Sequence, residues 1–91
     1  MTETYTEISA ETLSKMFNED FQNSQQLLGG YYIIDGLVDD TITFQGDKLV
    51  LLNGGIYPQI YVKGCIREKG NRVQIKCKLT EYTGALFATA K

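Results

Sequence analysis

Eight side chains between residues 57 and 82, Tyr57, Tyr61, Lys63, Arg67, Arg72, Lys76, Lys78 and Tyr82, set phenol rings among fixed positive charges. In each of two stretches they recur at even spacing, and on a β-strand residues two apart share a face. Nucleobases stack on such rings, at roughly 1–3 kcal/mol per base. Lys and Arg neutralise phosphates, which makes the binding salt-dependent. The pattern therefore suits single-stranded nucleic acid. A plainer reading uses the same residues: Tyr is a good strand former, exposed Lys discourages edge-to-edge pairing, and acids elsewhere can neutralise the bases.

Other chemistries find little support. The chain has no His, which removes the commonest general base and metal ligand. Its two cysteines, Cys65 and Cys77, are too few and too isolated for a zinc site. Gly54-Gly55 lacks the spacing of a phosphate-binding loop and reads as a turn. Asp39-Asp40, adjacent acids between strands, read as a solvated turn rather than a cation site. The expectation is a non-enzymatic module with no catalytic residues, no metal and no cofactor.

The elements that must position the eight residues follow from periodicity. Ser9 is a good N-cap, Ile8 and Leu13 have staple spacing, and Leu13, Met16, Phe17, Phe21, Leu27 and Leu28 form a helical stripe. One helix is expected from about residue 9 to 28, ended by Gly29-Gly30, with Phe17 and Phe21 largely buried. After it come strands at about 31–38, 41–45, 48–52, 56–67, 72–82 and 85–90. Gly36 suggests a bulge or bend, and Gly46-Asp47 a two-residue hairpin turn. In the two long strands Ile60, Val62 and Ile66 alternate with Tyr61, Lys63 and Arg67, and Val73, Ile75, Cys77 and Leu79 with Arg72, Lys76 and Lys78. A turn at Gly70-Asn71 would make these strands a hairpin, with Ile66 opposite Ile75, Val62 opposite Leu79 and Lys63 opposite Lys78. Like charges facing each other repel, so an anion would relieve the lysine pair. The same register sets Cys65 and Cys77 on opposite faces and predicts no disulfide.

Length and composition fit a single domain spanning 1–91. The start of the chain has neither a basic n-region nor an apolar h-region, and no apolar run is long enough for a bilayer. A cytoplasmic protein with reduced thiols and no membrane partner is expected. Charge is unevenly spread: residues 1–47 carry nine acids and one base (−8), and residues 48–91 carry eight bases and two acids (+6). That split fits a basic binding face, or two halves that neutralise each other in the fold.

Several stretches resemble the tRNA-anticodon-binding-like group of small OB-fold proteins: ISAETLSKMFNEDF, YYIIDGLV, KLVLLNGG and, most closely, KGNRVQIKCKLTEYTGAL. Asn18-Glu19 and Gly36-Leu37-Val38 also fit. The resemblance implies a five-stranded closed barrel behind a helix, binding oligonucleotides or other partners on its strand 2–3 face. Leu49–Leu52 and Tyr57–Lys63 fall on that face. The group has a longer connection between its third and fourth strands, and in such a barrel those strands are not neighbours, so the hairpin above conflicts with it. The fold expected is mainly β with one N-terminal helix, as an OB-like small antiparallel barrel or, alternatively, a helix on a meander sheet. The function expected is binding of single-stranded nucleic acid or, alternatively, of a protein partner, as an inhibitor or accessory subunit would. The acidic pI of 5.0 leans toward the protein partner. A homo-oligomer is left open.

Overall fold

The computed structural model of the chain describes residues 4–52 and 58–91. Its strands are β1 (Thr6–Ser9), β2 (Tyr31–Phe44), β3 (Asp47–Leu52), β4 (Ile60–Lys63), β5 (Arg72–Tyr82) and β6 (Leu86–Ala90). Helices α1 (Ala10–Glu19) and α2 (Phe21–Ser24) and a 3-10 turn (Gln25–Leu27) lie between β1 and β2. Strands run β2-β3-β4-β6-β5 around a closed five-stranded barrel, with β5 returning to β2. The β4–β6 pairing is parallel and the other barrel pairings are antiparallel. A mainly β, OB-like barrel preceded by a helix is thus what the chain forms.

Local chemistry explains the helical segment. The Ser9 hydroxyl caps α1 by accepting from the Thr12 N–H at 3.1 Å. The expected single helix of residues 9–28 is broken at Asp20, whose backbone leaves the helical region at φ −142° and ψ 69°. Its carboxylate instead caps the next turn, accepting from the Asn23 backbone N–H at 3.4 Å and from the Asn23 side-chain amide at 2.8 Å. The break turns the stripe: Phe17 is buried, whereas Phe21 is 44% exposed, so the expectation of two buried rings holds only for Phe17.

Barrel and helix share one core. Ile34, Val50, Val62, Leu79 and Leu86 point inward and are fully buried, and Leu13 and Phe17 of α1 pack into the same cluster. A Cβ at Gly36 would sit 2.9 Å from the Ala10 Cβ, so glycine lets α1 approach β2. Pairing is regular at Gly36, and the bulge lies between Val38 and Asp40, where one long β2 replaces the two expected strands. The β2–β3 turn is Gln45-Gly46, one residue earlier than expected, with φ of 52° and 83°. Ser14, buried on α1, donates from Oγ to the Pro58 carbonyl at 2.8 Å and ties the helix to the chain entering β4.

The expected hairpin of residues 56–67 with 72–82 does not form. β4 ends at Lys63, Gly64 turns with φ 90°, and β6 inserts between β4 and β5. Alternation told which side faces inward within Ile60–Lys63 and Arg72–Leu79 but not which strand lies alongside. Ile66, set with Ile60 and Val62 on the sequence pattern, is 66% exposed beyond the end of β4. The meander alternative falls with the hairpin. Both thiols are free. Cys77 is fully buried in the core, and burial, with a smaller contribution from Cys65, pushes its thiol up to about 12. Cys65 packs half-buried against that same core, not on an opposite face. Among the described residues no helix is long and apolar enough to cross a membrane.

Candidate binding face on the outside of the barrel

Where β4, β6 and β5 run side by side, their outward residues form cross-strand rows. Tyr61 is the partner of Phe87 in β6, and the two rings stack at 5.6 Å with planes 21° apart. The Tyr61 hydroxyl donates to Gln59 Oε1 at 2.7 Å, which fixes the ring from its far end. In the next row Lys63 is the partner of Thr89, and Thr89 is in turn the partner of Lys78. The two lysines therefore flank a threonine instead of facing each other, and their expected direct repulsion does not occur. Beyond them, the Lys91 backbone N–H donates to the Lys76 carbonyl at 2.9 Å, which sets two further basic residues side by side.

The β2–β3 hairpin extends the face with apolar surface. Phe44 is 54% exposed, and with Ile42, Leu49, Tyr61 and Phe87 it lines a shallow apolar cleft of about 190 Å³. A broader open groove of about 500 Å³ continues over Lys63, Thr80, Thr83, Phe87 and Thr89. Its ends are the Gln45-Gly46 turn and the turn between β5 and β6. The Thr80 hydroxyl donates to the Phe87 carbonyl at 2.9 Å and secures β6 where the β5–β6 register shifts.

Two ion pairs join the acidic and basic halves: Lys63 with Asp47 at 3.1 Å and Arg72 with Asp35 at 3.0 Å. Both are well exposed, and such pairs are worth about 0–1 kcal/mol, so a competing anion can open them. Neutralisation between the halves goes no further among the described residues: Arg67, Lys76, Lys78 and Lys91 are in no ion pair there. Lys76 instead lies 5.6 Å from the Tyr5 ring centroid and Lys78 lies 5.7 Å from that of Tyr31. Most acids lie on the helical segment and on β1 and β2, but Asp47 and Glu81 line the groove, Glu81 as the cross-strand partner of Phe87.

Of the eight residues singled out from sequence, Tyr61, Lys63, Lys76 and Lys78 share this outer surface. Arg67 stands apart in the connection between β4 and β5, its guanidinium donating to the Ile66 carbonyl at 2.9 Å. Arg72 is held at the far end of β5 by Asp35. Tyr82 belongs to the helix interface, with its ring 5.2 Å from Phe17 and 5.1 Å from Phe21. Tyr57 lies outside the described residues. Phe44, Phe87, Thr89 and Lys91 were missed. The period-two alternation of Phe87, Thr89 and Lys91 against Leu86, Ala88 and Ala90 was a usable signal for three of them. Asp39 and Asp40 are exposed on β2, with Asp40 accepting from the Thr41 N–H at 2.8 Å. No family model, curated protein or solved structure matches the chain.

Proposed function

We propose that this barrel is a binding module for single-stranded nucleic acid, with the ligand crossing the outer face of β4, β6 and β5. One observation carries the reading: the stacked Tyr61 and Phe87 rings lie directly beside the Lys63–Thr89–Lys78 row. Bases would lie on or beside the rings while phosphates meet the ammonium groups, the combination that single-strand binding requires. The OB-like form is compatible with that role but does not decide it, because function resides in the site and not in the fold. The resemblance to the tRNA-anticodon-binding-like group implies oligonucleotides or other partners on its strand 2–3 face, so it is compatible with this reading and does not decide it.

Fluorescence anisotropy with a labelled oligothymidylate tests the proposal. At about 50 mM salt the protein should bind, and affinity should fall steeply as salt rises. Tyr61→Ala should lose stacking worth about 1–3 kcal/mol. Lys78→Ala should weaken binding with little sequence dependence and flatten the salt slope by about 0.7, the single-strand value per phosphate contact. Absence of salt-sensitive binding to DNA or RNA oligomers would overturn the reading. The exposed Phe44 and the chain's net charge of −2 would then favour a protein partner on the same face.

A further inference from the structure

The binding face continues past Lys78 onto a second aromatic surface. Tyr31 is the cross-strand partner of Lys78, so the row that holds Lys63, Thr89 and Lys78 runs without a break onto β2. The Tyr31 ring meets that of Tyr5, just before β1, edge to face at 5.6 Å. Each ring has an ammonium above it, Lys78 over Tyr31 and Lys76 over Tyr5. We infer that Tyr31 and Tyr5, with Lys76 and Lys78, form a second stacking platform for the same single-stranded ligand, reached only by a strand long enough to pass over Lys78. This inference rests on the proposed nucleic-acid reading.

The physical argument starts from the weakness of a water-exposed contact between an ammonium and a ring. A phosphate oxygen offers that ammonium a charge-assisted hydrogen bond, which is much stronger than attraction to a ring quadrupole. A strand crossing Lys78 would therefore compete with Tyr31 and Tyr5 for Lys78 and Lys76 and bring its bases alongside those rings. Neither lysine must first break an ion pair among the described residues. Acids limit the path on one side, because Glu7 is the partner of Ile33 one row away and Asp35 lies beyond it. A polyanion is thus steered along the row of Lys63, Lys78 and Tyr31. From β4 to β1 the route crosses four strand spacings, about 19 Å at about 4.8 Å each. The Tyr61–Phe87 pair alone would serve a shorter ligand.

Ligand length is the test, with oligothymidylates of about four and about ten nucleotides, within the range of site sizes for one such barrel. Tyr31→Leu keeps apolar volume and removes the ring. It should weaken binding of the long oligomer about tenfold and leave the short one unchanged, a loss in the range of one lost stack. Lys76→Ala, an exposed substitution outside the core, should flatten the salt slope by about 0.7 for the long oligomer only. Tyr61→Ala should weaken both. If Tyr31→Leu and Lys76→Ala bind the long oligomer as tightly as the parent while Tyr61→Ala does not, the second platform is overturned and the first stands. Equal losses for both lengths in Lys76→Ala would also overturn it. If the parent protein binds neither oligomer, both readings fall together.

Discussion

The two sides of the barrel wall are both rich in apolar residues, yet they are built differently. Inside, Ile34, Val50, Val62, Leu79 and Leu86 come from all five strands and meet one another with essentially no exposure. Outside, the apolar residues gather on one sector, and they range from Leu49 and Leu51, at 6% and 8% exposed, to Phe44 at 54%. The inner set is required for any barrel to close. Leu49 and Leu51 are buried enough to support the fold, but stability does not require the exposed end of the outer set, because a polar residue in place of Phe44 would cost little. What the contrast teaches is that the outer sector has to be explained by what it meets.

Stability measurements can break that contrast or sharpen it. The largest effect should come from Phe17, the biggest fully buried side chain: Phe17→Ala should destabilise by about 3–5 kcal/mol in urea unfolding. A loss under about 1 kcal/mol would mean that α1 is not part of the core. Ser14→Ala should cost about 1–3 kcal/mol, because it leaves the Pro58 carbonyl without its buried donor. The same variant should loosen the entry to β4, seen as faster amide exchange at Ile60 and Tyr61. Phe44→Ser should be the smallest change, within about 0.5 kcal/mol of the parent. A large loss there would show that the outer sector supports the fold after all.

How much was legible in the sequence depended on how local each feature is. The Ser9 cap, the left-handed Gly29 and the hairpin around Gly46 are fixed by a few consecutive residues, and each was found to within a residue. The alternation along β5 was also read correctly from Arg72 to Leu79, since it concerns only which side of one strand faces inward. The neighbour of β4 was not legible. Val62 is the cross-strand partner of Ala88, in register as good as that imagined with Leu79, and period two cannot choose between them. Half the candidate site was therefore assembled from the right residues for the wrong reason: Lys63 and Lys78 do share a face, but with Thr89 between them. β1 was missed because four residues beside a helix cap are too few to show a period. Tyr82 was misplaced because the register shift between Leu79 and Glu81 reverses the alternation, so Tyr82 pairs with the buried Leu86 and packs toward the core against Phe17, while Glu81 takes the outward place beside Phe87.

The position of β6 has a consequence for how the chain folds. It follows its two neighbours in sequence and completes the wall between them, pairing with β4 in parallel and β5 antiparallel. During synthesis, β2, β3, β4 and β5 leave the ribosome before the strand that joins β4 to β5. For that interval two edges present unpaired backbone groups, which is the state most open to wrong partners. Closing the wall needs a contact across more than twenty residues, a slow kind of step relative to hairpin formation. Lys63 and Lys78 stand one on each waiting edge, the edges that Thr89 joins.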